Sequence, residues 1–299
     1  MTHPATRRSF MRTTILGITA SFAAPSFAAD KNRKQPNIVV IFLGDSDFAD
    51  FRPFGNTAYP TPNISKLTAE GCHFTNFHIP RANCFASHDA LLNGRYPERS
   101  KPVGAIRPSA SEMDPQCPTI VQILKSQGYT SAIFSKWHTE HAVDFIKRHQ
   151  ENPFFLYIAH NMPHAPLSVS REFKGKTGEG LYADVMMELD WSMGRIMAAL
   201  RESGVEDNTL VFFTSDNGPW ISYSDHAFKA PYREVEGISF DGGSRCACIM
   251  KMPGRIATGT TSDQFFCSID LMPTFAALAG AKPPDIPFDG LNMLDIITA

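Results

Sequence analysis

The sequence predicts an α/β fold with a mostly parallel central sheet flanked by helices, and three observations predict it. Apolar runs rich in β-branched and aromatic residues recur along the chain. They are continuous rather than alternating, as in strands covered on both faces. Segments with helical apolar spacing separate these runs. Chemistry-bearing polar residues gather just after the runs, where parallel α/β sheets bind ligands.

The elements follow in order. Residues 1–28 read as a leader: Arg7-Arg8-Ser9-Phe10-Met11-Arg12 precedes an apolar stretch from Ile15 to Ala28, and Ser26-Phe27-Ala28 offers small residues for cleavage. The paired arginines resemble a bacterial twin-arginine signal, with an ordinary secretory or lipoprotein-like leader left open. The expectation is an exported protein, periplasmic or secreted, with one folded domain over 29–299. Pro36 to Leu43 (PNIVVIFL) is the first buried strand, stopped by Gly44-Asp45-Ser46-Asp47. Thr119 to Gly128 is a helix on the spacing of Ile120, Ile123 and Leu124, with Gly128 as its cap. Tyr129 to Phe134, Phe154 to Ala159 (FFLYIA) and Leu210 to Thr214 (LVFFT) read as strands. Between the last two, Tyr182 to Leu200 is an amphipathic helix with Val185, Met186, Leu189, Met193, Ile196, Met197 and Leu200 on one stripe. No internal repeat or low-complexity tract interrupts the pattern.

Composition narrows the function classes. Hydrophobic residues make up 43% and charged residues 19% of 299, which excludes a disordered chain. Beyond the leader, no apolar run approaches the ~20 residues of a membrane span, so stable membrane insertion is not expected. A formal charge of −2 leaves no basic surplus for nucleic acid or anionic lipid. The six cysteines (72, 84, 117, 246, 248 and 267) contain no CxxC pair, which argues against a zinc knuckle. In an exported protein they are open to disulfide pairing. Cys246 and Cys248 lie in an apolar run and read as buried strand residues.

The strand ends carry the candidate chemistry. Asp45, Asp216 and Asn217 offer hard oxygen ligands of the type Ca²⁺ or Mg²⁺ prefers; polar turns are the plainer reading of each. Lys136 and His138, two positions apart, suit an anion-holding cation and a proton-shuttling imidazole. A solvated lysine and a structural histidine are the alternatives. His160-Asn161-Met162-Pro163-His164-Ala165-Pro166 adds two imidazoles on a proline-stiffened loop. Cys84 sits where a loop enters a helix, and a helix N-terminus stabilises negative charge on a nucleophile. A small buried residue is its alternative.

Seven ordered segments resemble the formylglycine-dependent sulfatases of the alkaline phosphatase superfamily. They are PNIVVIFLGD, TPNISKLTAEGCHFTNFH, CFASH…LLNGRYP, GYTSAIFSKWH, PFFLYIAHNMPHAPL, NTLVFFTSDNG and IDLMPTFAALAG, and they cover nearly all the chain beyond the leader. The resemblance implies a mixed α/β sheet flanked by helices, followed in the family by a smaller C-terminal antiparallel sheet. That small domain is expected to be absent, because the chain ends at Ala299 just after Asp289-Gly290-Leu291. The resemblance further implies sulfate-ester hydrolysis with a divalent cation, Ca²⁺ or Mg²⁺, and a formylglycine made from Cys84 by a sulfatase-maturing enzyme. It makes Asp45, Asp216 and Asn217 metal ligands and Lys136 and His164 sulfate contacts, with His138 assisting the nucleophile. The substrate would be a sulfated small molecule or carbohydrate.

Several positions depart from the family pattern. The maturation motif Cys-x-Pro/Ala-x-Arg reads Cys84-Phe85-Ala86-Ser87-His88, so an imidazole replaces a guanidinium. The opening Asp-Asp reads Gly44-Asp45, with Asp47 as a possible stand-in. The lysine of a pattern like Arg-Glu-Gly-Lys-Gly is Glu236 in Arg233-Glu234-Val235-Glu236-Gly237. A stretch that separates Lys-Trp-His from the next helix in the family is missing near residues 139–141. Three readings stand: a working exported sulfatase, an impaired relative that binds sulfated glycans or a partner, and a phosphoesterase with an unmodified nucleophile. The last is disfavoured, because Cys84 is not the Ser or Thr of such enzymes.

Overall fold

The computed structural model describes residues 35–99, 117–135, 138–220, 231–237, 240–282 and 285–298. The expected leader (1–28) and Lys136 lie outside the described residues.

The first half contains β1 (Asn37–Gly44), α1 (Pro62–Ala69), β2 (Cys72–Phe74), β3 (Phe77–His78), α2 (Cys84–Asn93), α3 (Ile120–Ser126), β4 (Thr130–Ser135) and α4 (Thr139–Arg148). The second half contains β5 (Phe154–Pro163), α5 (Leu181–Glu202), β6 (Thr209–Ser215), α6 (Asp241–Ser244), β7 (Cys248–Lys251), β8 (Thr260–Ser262), β9 (Phe266–Cys267), α7 (Leu271–Leu278) and α8 (Leu294–Ile297). Seven strands form one sheet in the order β4-β5-β1-β6-β7-β2-β8, and β3 pairs with β9. The β4-β5, β5-β1, β1-β6 and β2-β8 ladders are parallel, whereas β7 runs antiparallel to both β6 and β2. The sheet is therefore mostly parallel, as the buried apolar runs implied.

Alternation along β1 explains the layers. Ile38, Val40 and Phe42 point to a core built with Leu91, Ile123, Leu124, Met272 and Phe275, from α2, α3 and α7. Val39, Ile41 and Leu43 point to the opposite core, with Ile64, Val143, Ile146, Met186, Met193 and Ile196 from α1, α4 and α5. Every residue of β1 is buried, so an apolar residue is needed at each position, and the period-2 pattern is absent. Local signals set the helix ends. Thr119 caps α3 in a reciprocal capping box with Gln122, and Gly128 adopts a left-handed φ of 85° two residues after α3.

The strand at the centre of the parallel block, β1, lies between β5 and β6. Their carboxyl ends share one edge, and β1 is followed directly by Asp45, β6 by Asp216. Among the described residues, no helix is long and apolar enough to cross a membrane. Cys72, Cys84, Cys246, Cys248 and Cys267 form no disulfide.

Candidate active site

The site begins with the splice between β1 and β6. Asp216 donates its backbone N–H to the Leu43 carbonyl at 2.9 Å, and its Oδ1 accepts the backbone N–H of Asp45 at 2.9 Å. Asn217 Nδ2 donates to Asp45 Oδ1 at 2.6 Å. Asp45 takes a left-handed φ of 65°, a conformation that costs a non-glycine residue about 1–3 kcal/mol unless its surroundings enforce it. The three hydrogen bonds around it supply that enforcement.

Asp45, Asp216 and Asn217 are all buried, with 2%, 2% and 0% exposure. Yet Asp45 Oδ2 and Asn217 Oδ1 have no hydrogen-bond partner among the described residues. Both are acceptors, so a cation satisfies them where a second acceptor does not. Burial, then the Asp216 charge, pushes the Asp45 carboxyl up to about 6. Two repelling carboxylates, with one carboxylate oxygen and one amide oxygen lacking donors, fit a divalent cation. The residues that would hold it are Asp45, Asp216 and Asn217.

Cys84 is the first residue of α2, capped by Asn83, whose side chain accepts from the Ala86 N–H. Its thiol donates towards Asp45 Oδ1 at 3.6 Å and Glu236 Oε1 at 3.8 Å. Burial, followed by the charges of Asp216, Asp45 and Glu236, pushes the thiol well above the usual cysteine range. The helix N-terminus expected to lower it is outweighed by burial together with these carboxylates. Glu236 itself is pushed up to about 7, by burial and then by Asp45 and Asp216.

Two histidines complete the ring. His164 lies just after β5, its Nε2 3.8 Å from Asp45 Oδ2. Its Nδ1 bonds to the Ala165 carbonyl, which only accepts, so Nδ1 carries the hydrogen and Nε2 faces the cluster. His88 lies one turn beyond Cys84 on α2, with Nε2 3.7 Å from Asp216 Oδ2. Its Nδ1 meets the Tyr157 hydroxyl, and its ring stands edge-on to Phe42. Burial keeps the Tyr157 hydroxyl protonated, so it donates to Nδ1 and leaves Nε2–H facing Asp216. Tyr157 was not among the expected site residues, because nothing in the apolar FFLYIA run distinguishes it.

The structure therefore gathers Asp45, Asp216, Asn217, Cys84 and His164, with His88 and Glu236. His138 stands exposed before α4, with its Nδ1 3.2 Å from His141 Nδ1. Asp47, the stand-in considered for the carboxylate missing at Gly44, is engaged locally through its Oδ1. It caps the turn Phe48–Asp50, accepting from the Ala49 N–H. His160 points towards α5 and Ser192, into a cavity of about 240 Å³ that Phe173 and Trp191 also line.

With this geometry in hand, comparisons with known proteins are specific. A family model named Sulfatase matches residues 36–142 and 139–281. Arylsulfatase A of Bos taurus is 30% identical over 366 aligned positions, covering 95% of this chain and 70% of that protein. N-acetylgalactosamine-6-sulfatase of Homo sapiens is 30% identical, covering 87% of this chain and 65% of that one. The chain thus spans about two thirds of the length of these relatives. Among solved structures, Ps i-CgsB in complex with k-i-k-neocarrahexaose is 25% identical with a TM-score of 0.80, over 87% of this chain and 76% of that one. PsFucS1 sulfatase from Pseudoalteromonas sp. shares the fold, with a TM-score of 0.81 at 22% identity over 89% of this chain and 72% of that one.

Proposed function

The chain belongs to the sulfatase family, and on that premise we propose that it is an exported hydrolase of sulfate esters that acts on a sulfated carbohydrate. The observation that carries this reading is the position of Cys84. Its Sγ lies 3.6 Å from Asp45 Oδ1, inside a buried carboxylate cluster with two unsatisfied oxygen acceptors. When present, a divalent cation (Ca²⁺ or Mg²⁺) would polarise a sulfate oxygen, and a formylglycine made from Cys84 by a sulfatase-maturing enzyme would supply the attacking oxygen.

The residues of the chain do the positioning. Asp45, Asp216 and Asn217 would hold the cation in a dry setting where charge interactions are strong. His164 Nε2 faces the same point, and with a second proton on that nitrogen it would orient a sulfate oxygen. His88, polarised by Tyr157 and Asp216, is placed to hold a proton one helical turn from residue 84. Lys136 would add a second cation against the sulfate. The carbohydrate assignment follows relatives whose names specify N-acetylgalactosamine-6-sulfate chemistry and a structural neighbour bound to a neocarrahexaose.

A second reading rests on Glu236. Its carboxylate sits 3.8 Å from Cys84 Sγ, where an anionic ester must approach, so this chain would bind a sulfated glycan or partner without turning it over. One experiment separates the two: mass spectrometry of the tryptic peptide Ala82–Arg95 from cells that carry a sulfatase-maturing enzyme, paired with sulfate release from sulfated sugars. Formylglycine at position 84 with sulfate release is the expected result. An intact thiol in such cells would overturn the hydrolase reading and leave the binding one.

A further inference from the structure

The site contains a donor set that suits a different ion from the one its carboxylates suit. Asp45, Cys84 and His164 each present one ligand atom, and these three atoms lie within 4.8 Å of one another. Glu236 lies beside them, with Oε1 3.8 Å from Cys84 Sγ, but outside the mutual spacing of those three atoms. Cys84 Sγ is 3.6 Å from Asp45 Oδ1, and His164 Nε2 is 3.8 Å from Asp45 Oδ2. Metal–ligand bonds of about 2.0–2.3 Å place tetrahedral neighbours roughly 3.3–3.8 Å apart. The Cys84–Asp45 and His164–Asp45 separations meet that spacing, one on each Asp45 oxygen, and a turn of the Glu236 side chain is needed to bring its carboxylate into range of the other ligands.

Two details point the groups at an ion rather than at one another. The Asp45 side chain is 1% exposed, and its Oδ2 has no hydrogen-bond partner. The Ala165 carbonyl holds the Nδ1 hydrogen of His164, which leaves the Nε2 lone pair turned into the cluster, the arrangement a histidine ligand needs. Ca²⁺ and Mg²⁺ take oxygen ligands and have no use for a thiol. A sulfur, an imidazole and two carboxylates match zinc.

We propose that, while Cys84 retains its thiol, Asp45, Cys84, His164 and Glu236 form a zinc site. Binding releases the thiol proton to solvent and forms an S–Zn bond, with no change of oxidation state. Glu236, which sits badly with a sulfate ester, has a clear role there as a fourth ligand. The site exists only in the thiol form and does not depend on sulfate-ester hydrolysis, since conversion of Cys84 removes the sulfur. Zinc on Sγ also shields this cysteine, so metal loading and conversion exclude each other.

The test uses full-length protein made without a maturing enzyme, with the thiol verified by intact mass and metals stripped by chelator. Titration with Co²⁺ should give a thiolate-to-cobalt charge-transfer band at one equivalent, and Zn²⁺ should displace the Co²⁺ while Ca²⁺ does not. Cys84→Ser should lose the band, and Glu236→Gln should weaken Zn²⁺ binding at least about tenfold. Zn²⁺ should also protect Cys84 from alkylation, read on peptide Ala82–Arg95, which requires no variant to fold. Absence of the band in the unsubstituted protein, its survival in folded Cys84→Ser, or alkylation unchanged by Zn²⁺ would each overturn the proposal. Sulfate release by matured protein is scored separately, so the two readings fail independently.

Discussion

At the scale of single residues, Glu236 sets the sign of the pocket. It stands against Asp45, Asp216 and Cys84, and burial with those charges raises its carboxyl to about 7. At neutral pH much of its charge remains and opposes any sulfate that reaches Cys84. Glu236→Lys replaces that repulsion with attraction, and inorganic sulfate should then bind at least about tenfold more tightly in calorimetry, a gain of roughly 1.4 kcal/mol. Unchanged affinity would show that sulfate does not approach Glu236. The counterpart is Gly44, where the family pattern has a second carboxylate. A Cβ there would meet the Asn161 carbonyl oxygen at 3.2 Å and the His160 carbonyl oxygen at 3.3 Å, so the close approach of β5 favours glycine.

At the scale of elements, α5 anchors α1 through one side chain. Asp190 Oδ1 accepts the Ile64 N–H at 2.8 Å, and Oδ2 accepts the Asn63 N–H at 3.1 Å and Asn63 Nδ2 at 2.8 Å. These are first-turn donors of α1, which its own cap residue Thr61 leaves without a side-chain partner. Asp190→Ala should cost about 2–3 kcal/mol in urea unfolding, because it strands buried donors; a loss below about 0.5 kcal/mol would mean that water replaces the carboxylate. The second element-level prediction concerns the end of β5. Burial lowers His160 to about 4, below its unfolded value of ~6.5. Its neutral form therefore supports the fold above about pH 6.5, and that support is lost as pH falls towards 4. Because the ring keeps some solvent access, the loss should be about 1–2 kcal/mol, and His160→Gln should flatten it in thermal melts across that range. The same elements show what a sequence reveals. Continuous apolar runs exposed β1, β5 and β6, and the residues just after β1, β5 and β6 led to Asp45, His164, Asp216 and Asn217. The apolar run at Cys246 and Cys248 pointed to β7, but β2 and β8 carry no such signal, since strands such as Cys72–Phe74 and Thr260–Ser262 are too short to show a period. Register was equally silent: the role of Tyr157 comes from its pairing with Val40, which brings its hydroxyl to His88. The contact of the His138 ring with His141, set by the turn into α4, is likewise invisible in the sequence.

At the scale of the whole molecule, the site acts as a clasp. Asp45 follows β1 and Asp216 follows β6, 171 positions later, so the acceptors that would hold a cation meet only in the folded chain. Bringing them together buries repulsion between carboxylates, visible as the raised values of Asp45 and Glu236. A divalent cation that binds here relieves this repulsion and binds the native state alone. Linkage then gives about 2.7 kcal/mol of added stability at a free concentration of 100 Kd. For a domain of this size that corresponds to a rise in Tm of roughly 5–10 °C. Thermal melts of the protein with excess Ca²⁺ and with chelator should differ by that amount, and Asp45→Asn should remove most of the difference while still folding, because the amide can keep the contacts to Asn217. Identical melts with and without Ca²⁺ would show that the unsatisfied oxygens of Asp45 and Asn217 are met by water, and the cation would then have no part in holding the ends of β1 and β6 together.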